Sequence, residues 1–413
     1  MKVLYFHQHF STPSGAAGTR SYEMSQKLIE RGHEVTMVCG SYGVGKSGLD
    51  RPFVNGVRKG VVDGIAIIEL ELPYSNKDGF GKRTLTFLKF ALKSVGIALI
   101  QEYDLLFATT TPLTAGIPGI FAKMLRRKTF VFEVRDLWPE LPKAMGVITN
   151  PIVLTLMSWL EWISYRSADA CIGLAPGIVE GIKKRGVSAD LVSMVPNGCD
   201  LQIFNKKMGD FGWRPVGVND KDLMAVFTGA HGIANGLDAV LDAAFVLKQK
   251  ERADIKLVFV GDGKLKKSLK KRTKESGLNN CIFLDPVPKK KLAGLLSQAD
   301  LGLMILANVP AFYYGTSPNK FFDYISTGIP VLNNYPGWLA DMITEHECGF
   351  AVEPDNPEDF AEKLIYAADN NHILREMGIN ARKLAEDKFD RQKLAGKFVD
   401  ILEKVYRVHE KIS

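Results

Sequence analysis

At 413 residues the chain is long enough for two or more domains, each with its own core. Hydrophobic content of 46% against 24% charged is that of an ordinary soluble protein, and the five cysteines are scattered without a Cys-x-x-Cys pair. That pattern suits a reducing cytosol and argues against a structural zinc site or a disulfide framework. The net charge of +7 admits nucleic acid, anionic lipid or phosphorylated ligands as partners. No zinc-finger pattern or aromatic RNP signature accompanies it, so nucleic acid is set aside.

The opening stretch, Lys2–His7, reads as a strand, and no signal peptide is expected because no longer apolar run there ends in small residues. A helix over Arg20–Arg31, stopped by Gly32, leads to a second strand, Glu34–Cys39. Further strands are expected at Ile65–Leu70, Leu105–Ala108, Thr129–Val134, Ala170–Leu174 and Val192–Val195. A polar, Gly-rich connector of about residues 205–222 follows without periodicity. Strand Leu223–Thr228 then starts a second alternation. It runs through helix Gly236–Lys250, strand Lys256–Val260, helix Lys264–Ser276, strand Cys281–Leu284, helix Lys289–Ala299 and strand Leu301–Ile305. Strands alternating with helices predict parallel sheets, and two such halves predict two doubly wound α/β domains, 1–204 and 205–390, facing a central cleft. Apolar spacing at Leu394, Phe398, Leu402 and Val405 predicts a final helix over about 391–413 that packs back on the first domain. No stretch reads as a transmembrane helix.

Several segments carry chemistry. Gly40–Ser47 satisfies the P-loop pattern, yet the chain continues into Gly48-Leu-Asp-Arg-Pro52, a loop where a P-loop needs a helix. It reads as a mobile loop. The turn between the first strand and helix offers Gly15, Gly18 and Arg20, either as a phosphate-approaching backbone or as a turn needed only for geometry. Arg135 and Asp136 follow the strand Thr129–Val134, where the end of a parallel strand meets a cleft. Asp136 would orient or deprotonate an acceptor hydroxyl and Arg135 would fork a phosphate, unless the two merely brace the loop as a pair. In helix Lys82–Ile100 a broad apolar face is flanked by Lys82, Arg83, Lys89 and Lys93. This suits either an anionic membrane surface or a sheet-packed helix with its lysines in water.

In the second half, Gly229 and His231 follow one strand and Gly261 another, so their backbone amides could meet a phosphate. The most informative stretch is Tyr314–Val331. Its turn through Thr316-Ser317-Pro318-Asn319 opens a helix that carries Lys320 and Asp323, and Gly328 and Pro330 end it. Ser317, Asn319, the free amides and the Lys320 ammonium make an anion site, with Asp323 one turn on to meet vicinal hydroxyls. A phosphate beside a diol points to a nucleotide.

Taken in order, the Gly15–Arg20 turn, Val195-Pro-Asn-Gly-Cys-Asp200 with Phe204, Val260-Gly-Asp-Gly263, Phe283–Val287 and Gly328-Ile-Pro-Val331 resemble the family-4 glycosyltransferases over essentially the whole chain. The Phe132–Pro139 and Ser317–Tyr324 segments look most like the fucosamine-type transferases of bacterial O-antigen and capsule clusters. The resemblance implies a cytoplasmic retaining enzyme of GT-B fold, peripheral to the inner face of the cell membrane. A nucleotide sugar, UDP-linked, would bind the second domain, with Val287 among its neighbours. A polyprenyl-diphosphate-linked saccharide would bind the first, and no metal or other cofactor would be required.

Three departures stand out. The family's two donor-flanking glutamates fall at Gly315 and Asp323, and its diphosphate-clamping Arg and Lys fall at Ala230 and Asn235. Its His-Asp pair reads Arg135-Asp136, which favours a front-face reaction assisted by the leaving phosphate. Lys320, Arg20 and the helix N-terminus at Ser317 are then the candidates for the diphosphate charge. A non-catalytic nucleotide-sugar-binding protein and another nucleotide-dependent α/β enzyme are the alternative readings.

Overall fold

A computed structural model describes residues 1–15, 17–43, 45–75, 78–205 and 212–410. Residue 16 of the Gly15–Arg20 turn, residue 44 of the Gly40–Ser47 loop, residues 206–211 of the connector and residues 411–413 lie outside the described residues. The chain forms two compact bodies. The first holds Met1–Pro196, Gly315–Ser317 and the stretch from Gln392 on; the second holds Asn197–Tyr314 and Pro318–Arg391.

The first body is built on β1 (Lys2–Phe6), β2 (Glu34–Tyr42), β3 (Val57–Val62), β4 (Ile65–Tyr74), β5 (Leu105–Thr109), β6 (Thr129–Val134), β7 (Ala170–Gly173) and β8 (Val192–Met194). They make one sheet in the order β3-β4-β2-β1-β5-β6-β7-β8. Every pair is parallel except β3 with β4. The hairpin of β3 was not expected from the sequence. Its signal is Asp63-Gly64, whose φ values of 49° and 82° are the left-handed pair that a two-residue type I′ turn requires. The chain leaves β1 towards β2 and β4, then returns to β5 on the other side of β1. The crevice between the ends of β1 and β5 is therefore the switch point of this sheet. The helices of this body are α1 (Arg20–Glu30), α2 (Phe80–Ile100), α3 (Ile117–Arg126), α4 (Glu140–Ala144), α5 (Pro151–Ser167) and α6 (Pro176–Lys184).

The second body contains β9 (Leu223–Thr228), β10 (Ile255–Val260), β11 (Cys281–Leu284), β12 (Leu301–Met304), β13 (Val331–Asn333) and β14 (Gly349–Ala351) in the order β11-β10-β9-β12-β13-β14. All are parallel, and the switch point lies between β9 and β12. Its helices are α7 (Asp238–Gln249), α8 (Lys266–Glu275), α9 (Lys289–Ser297), α10 (Asn319–Thr327), α11 (Trp338–Glu345), α12 (Pro357–Asp369) and α13 (Asn371–Lys388). Phe227, Leu257, Phe259 and Leu303 pack with Leu241 of α7 on one face of this sheet, and Val226, Val258 and Met304 are buried on the other, as central parallel strands require.

The last helix, α14 (Arg391–Glu410), belongs to the first body from Gln392 on. Phe398 meets Phe107 edge-on at 5.0 Å between ring centroids, while Glu403 accepts from Arg31 and faces His33 Nε2 at 3.0 Å.

Candidate functional site

In the second body, α10 is aimed by apolar packing. Phe321, Phe322, Tyr324 and Ile325 are fully buried, and Tyr324 Oη accepts from the Thr228 amide at 2.9 Å, which pins the helix to the end of β9. Gly328 ends it at φ 74°, with the Ile329 amide closing onto the Tyr324 carbonyl. The helix begins at Asn319, behind an extended Pro318. Ser317 is thus not its cap, since the proline fixes an extended residue between them and no side chain caps the helix. Asn319 is exposed at the first position.

This placement lays Lys320 across the switch point. Its Nζ stands 4.2 Å from the centroid of the Phe227 ring and donates to Asn235 Oδ1 at 2.7 Å. A Cβ on Gly229 would lie 3.4 Å from its Cε, so this half-buried side chain runs directly beside the Gly229 backbone. Burial pushes the ammonium down to about 7, leaving a cation with no carboxylate partner among the described residues. The residue at the position of the family's clamping Lys, Asn235, therefore holds the lysine that arrives from α10.

His231 is fully buried among Phe227, Phe259 and Phe283, and neither ring nitrogen has a hydrogen-bond partner among the described residues. Burial first, then Lys266, hold its imidazole down at about 4, so it is neutral at pH 7. Gly261 lies over it at φ 151°, and a Cβ there would come within 1.9 Å of the Gly229 carbonyl oxygen. Only glycine lets the loops after β9 and β10 approach this closely.

Lys266, absent from the sequence reading, ties the turns after β10 and β11 together. Its Nζ donates to the Gly261 and Leu284 carbonyls and to Asp285 Oδ1 at 2.7, 2.8 and 2.7 Å. Its place in a run of surface-type lysines hid it. Val287 lies half-buried in the loop after β11.

Asp323 sits one turn past Lys320. Burial raises its carboxyl to about 6, moderated by Lys289 and Arg391, which are themselves held by Asp200.

The first body shows a different use of its predicted residues. Arg20 is buried and points inwards. Its guanidinium donates twice to Glu133 Oε2, at 3.1 and 2.7 Å, and to the Val195 and Pro196 carbonyls. These bonds take Arg20 out of the diphosphate candidates, because a guanidinium so satisfied has little left to offer a ligand. Nor does Arg135 pair with Asp136. Its Nε donates to Thr109 Oγ1 at 2.8 Å and Glu133 Oε1 at 3.2 Å, and its Nη2 to Ser21 Oγ.

Glu133, 0% exposed, is the hub: burial raises its carboxyl, but Arg20 and Arg135 outweigh that and hold it below the usual range. The strand pattern hid Glu133 inside an apolar run. Asp136 accepts from Thr111 Oγ1 at 3.2 Å, and burial raises its pKa, moderated by Thr111 and Arg135.

Gly15 is needed for close packing, since a Cβ there would lie 2.3 Å from Ser11 Oγ and 2.7 Å from the Lys46 amide nitrogen; Gly18 is exposed. That contact explains the P-loop look-alike: it is a loop locked against Ser11 and Thr12, with Ser47 bonded to Glu69.

The sequence reading also missed His7 and Gln8 at the end of β1. Both are buried at the switch point, with His7 Nδ1 and both amide atoms of Gln8 unpartnered among the described residues. The three polar residues His7-Gln8-His9 closing an apolar strand were the available signal.

Two parallel-sheet α/β bodies, each with polar groups gathered at its switch point, define the class as a GT-B protein, and solved structures share that fold along the whole chain. Sucrose-phosphate synthase from Thermosynechococcus elongatus is similar with a TM-score of 0.75 at 16% identity, over 98% of this chain and 99% of that one. The Anabaena protein HepE in complex with UDP-glucose is similar with a TM-score of 0.69 at 17% identity, over 98% and 100%.

Residues 15–198 match the family model described as Glycosyl transferase 4-like domain, and residues 213–384 match Glycosyl transferases group 1, so the chain carries both of these glycosyltransferase domains. Among curated proteins, MMP alpha-(1->4)-mannosyltransferase of Mycolicibacterium hassiacum is 24% identical over 220 residues, 53% of this chain and 49% of that protein. The chain spans about half the length, or less, of the curated relatives it matches.

Proposed function

We propose that the protein is a retaining glycosyltransferase that moves a sugar from a UDP-linked donor to a polyprenyl-diphosphate-linked saccharide in bacterial surface-polysaccharide synthesis, O-antigen or capsule. It would work in the cytoplasm at the anionic inner face of the membrane. The observation that carries the donor half is the Lys320 ammonium, which has no carboxylate partner among the described residues and lies over Phe227 beside the Gly229 backbone, held by Asn235.

In this reading the donor diphosphate lies against Lys320 and the amides opening α10, and Asp323 accepts from the ribose hydroxyls. Charge growing on the departing diphosphate meets a fixed cation in a low-dielectric setting, where it is most effective, and no metal or other cofactor takes part. The leaving phosphate assists the incoming hydroxyl from the same face, so the anomeric configuration is retained. Asp136 orients that hydroxyl, and Arg135 acts through Glu133 and Thr109 as a positioning residue. HepE, bound to UDP-glucose, lends support to a UDP-linked donor.

The test is a thermal-shift screen of UDP-, GDP- and ADP-sugars, followed by transfer to membrane-extracted lipid acceptor and NMR of the product linkage. A UDP-sugar should raise the melting temperature and yield a product of unchanged anomeric configuration; stabilisation by NAD alone, or an inverted product, refutes the reading. Gly315, in place of a family glutamate, favours a second reading, a nucleotide-sugar-binding protein without turnover, which binding without transfer or hydrolysis would establish.

A further inference from the structure

Three helices of the first body carry apolar side chains on their outward faces. On α2 they are Leu85, Leu88 and Leu92, at helical spacing and with Leu92 71% exposed. On α3 they are Phe121, Met124 and Leu125, with Met124 68% exposed. On α5 they are Ile152, Leu156, Trp159 and Trp162, with Ile152 70% and Trp159 60% exposed. The opposite side of each helix is already buried, through residues such as Phe90 and Ala98 on α2, Ile120 and Ala122 on α3, and Tyr165 on α5. These are therefore second apolar stripes, beyond what the core needs. Because α3 packs against both α2 and α5, the stripes lie on adjoining helices.

The charge on the same helices has one sign. Four cations on α2 (Lys82, Arg83, Lys89, Lys93), two on α3 (Lys123, Arg126) and one on α5 (Arg166) face a single acidic residue, Glu161. Glu161 is 4% exposed and ion-paired with Arg185, so it does not offset the surface charge. Lys82, Lys123 and Arg126 pair with Asp78, Asp169 and Glu102 just outside the helices, whereas Lys89 and Lys93 stand exposed without an ion pair among the described residues. No helix among the described residues is long and apolar enough to cross a membrane.

From this we propose that the outward face of α2, α3 and α5 docks flat on an anionic lipid bilayer. The leucines and Met124 would enter the acyl boundary, Trp159 and Trp162 would sit at headgroup level, and Lys89 and Lys93 would meet lipid phosphates. Tryptophan prefers that interface because its ring is apolar and its N–H needs a polar partner. An apolar band on helices that carry seven cations against one buried acid matches an anionic surface. The inference rests on the reading of a membrane-borne acceptor, and it places the contact on three helices where the sequence pointed to α2 alone.

The test is co-sedimentation of the full chain with vesicles of phosphatidylglycerol and phosphatidylcholine, of pure phosphatidylcholine, and in high salt. Wild type should bind the anionic vesicles, and binding should fall at least about tenfold in each of the other two conditions. The Leu88→Ser/Trp159→Ser variant should lose at least about tenfold in binding to the anionic vesicles while its nucleotide-sugar thermal shift stays that of wild type. Wild type left in the supernatant, or a variant that binds as well as wild type, overturns the proposal. So does light scattering that shows a wild-type dimer and a variant monomer, since the face would then join two copies. Vesicle binding without any nucleotide-sugar shift would leave this proposal standing and remove the transferase reading.

Discussion

Donor binding should take up a proton at Lys320. Burial holds the free ammonium at about 7, so it is half neutral at pH 7 and largely neutral at pH 8. A diphosphate against Nζ favours the charged form and raises that value, so only the protonated protein binds well. Through Lys320, apparent dissociation constants then scale with the inverse of the protonated fraction, growing about fivefold from pH 7 to pH 8. The sign is fixed: affinity falls as pH rises through the free lysine's value.

A nucleotide sugar is the right probe because its diphosphate is esterified at both ends and does not titrate across this range. His231, held at about 4, does not contribute either. Titration calorimetry at pH 8 in two buffers of different ionisation enthalpy should report uptake of close to one proton. Lys320→Arg should bind with no such pH dependence, since guanidinium stays charged. Lys320→Met should lose the dependence and roughly 10- to 100-fold in affinity, the worth of a hydrogen bond to a charged group. Zero proton uptake in wild type, or a Met variant with wild-type affinity, refutes the assignment of Lys320 to the phosphate.

Asp323→Asn should lower nucleotide-sugar affinity about tenfold at pH 7.5, and in wild type affinity should also decline below about pH 6 as this raised carboxyl protonates; a flat acid limb in wild type would remove the ribose contact. Arg20→Ala leaves the wholly buried Glu133 with one cation fewer and should lower stability by about 3–5 kcal/mol in urea unfolding, with donor affinity of the folded fraction unchanged. A loss of donor affinity at constant stability would instead return Arg20 to the phosphate site. His231→Phe removes two unpartnered buried nitrogens and should raise stability by about 1 kcal/mol while weakening the nucleotide sugar about tenfold. Unchanged affinity would reduce the ring to packing.

The alternation of apolar strands with amphipathic helices was legible along the chain because period and burial are local properties. β9 and β6 match the expected strands residue for residue, while β3 escaped because an edge strand buries little of either face. The stop at Gly328 was equally plain, since backbone conformation is encoded where it is used, whereas the amides of Gly229, His231 and Gly261, read as open to a phosphate, are bonded to the Val260, Asp262 and Leu284 carbonyls.

What tertiary structure decided was which charged groups are free. Arg20, Arg135 and Lys320 look alike in sequence, but Glu133 bonds both arginines while Lys320, among the described residues, meets an amide oxygen and an aromatic face and no carboxylate. Likewise, that leucines of α2, Met124 and the tryptophans of α5 share exposed faces of adjoining helices follows from packing between segments tens of residues apart. The sequence by itself determined the fold class and the stretches from which a site could be made. Long-range pairing of buried charges and the packing of distant helices decided which residues remain to meet a ligand, because an ion pair or an exposed face depends on neighbours that sequence distance does not reveal.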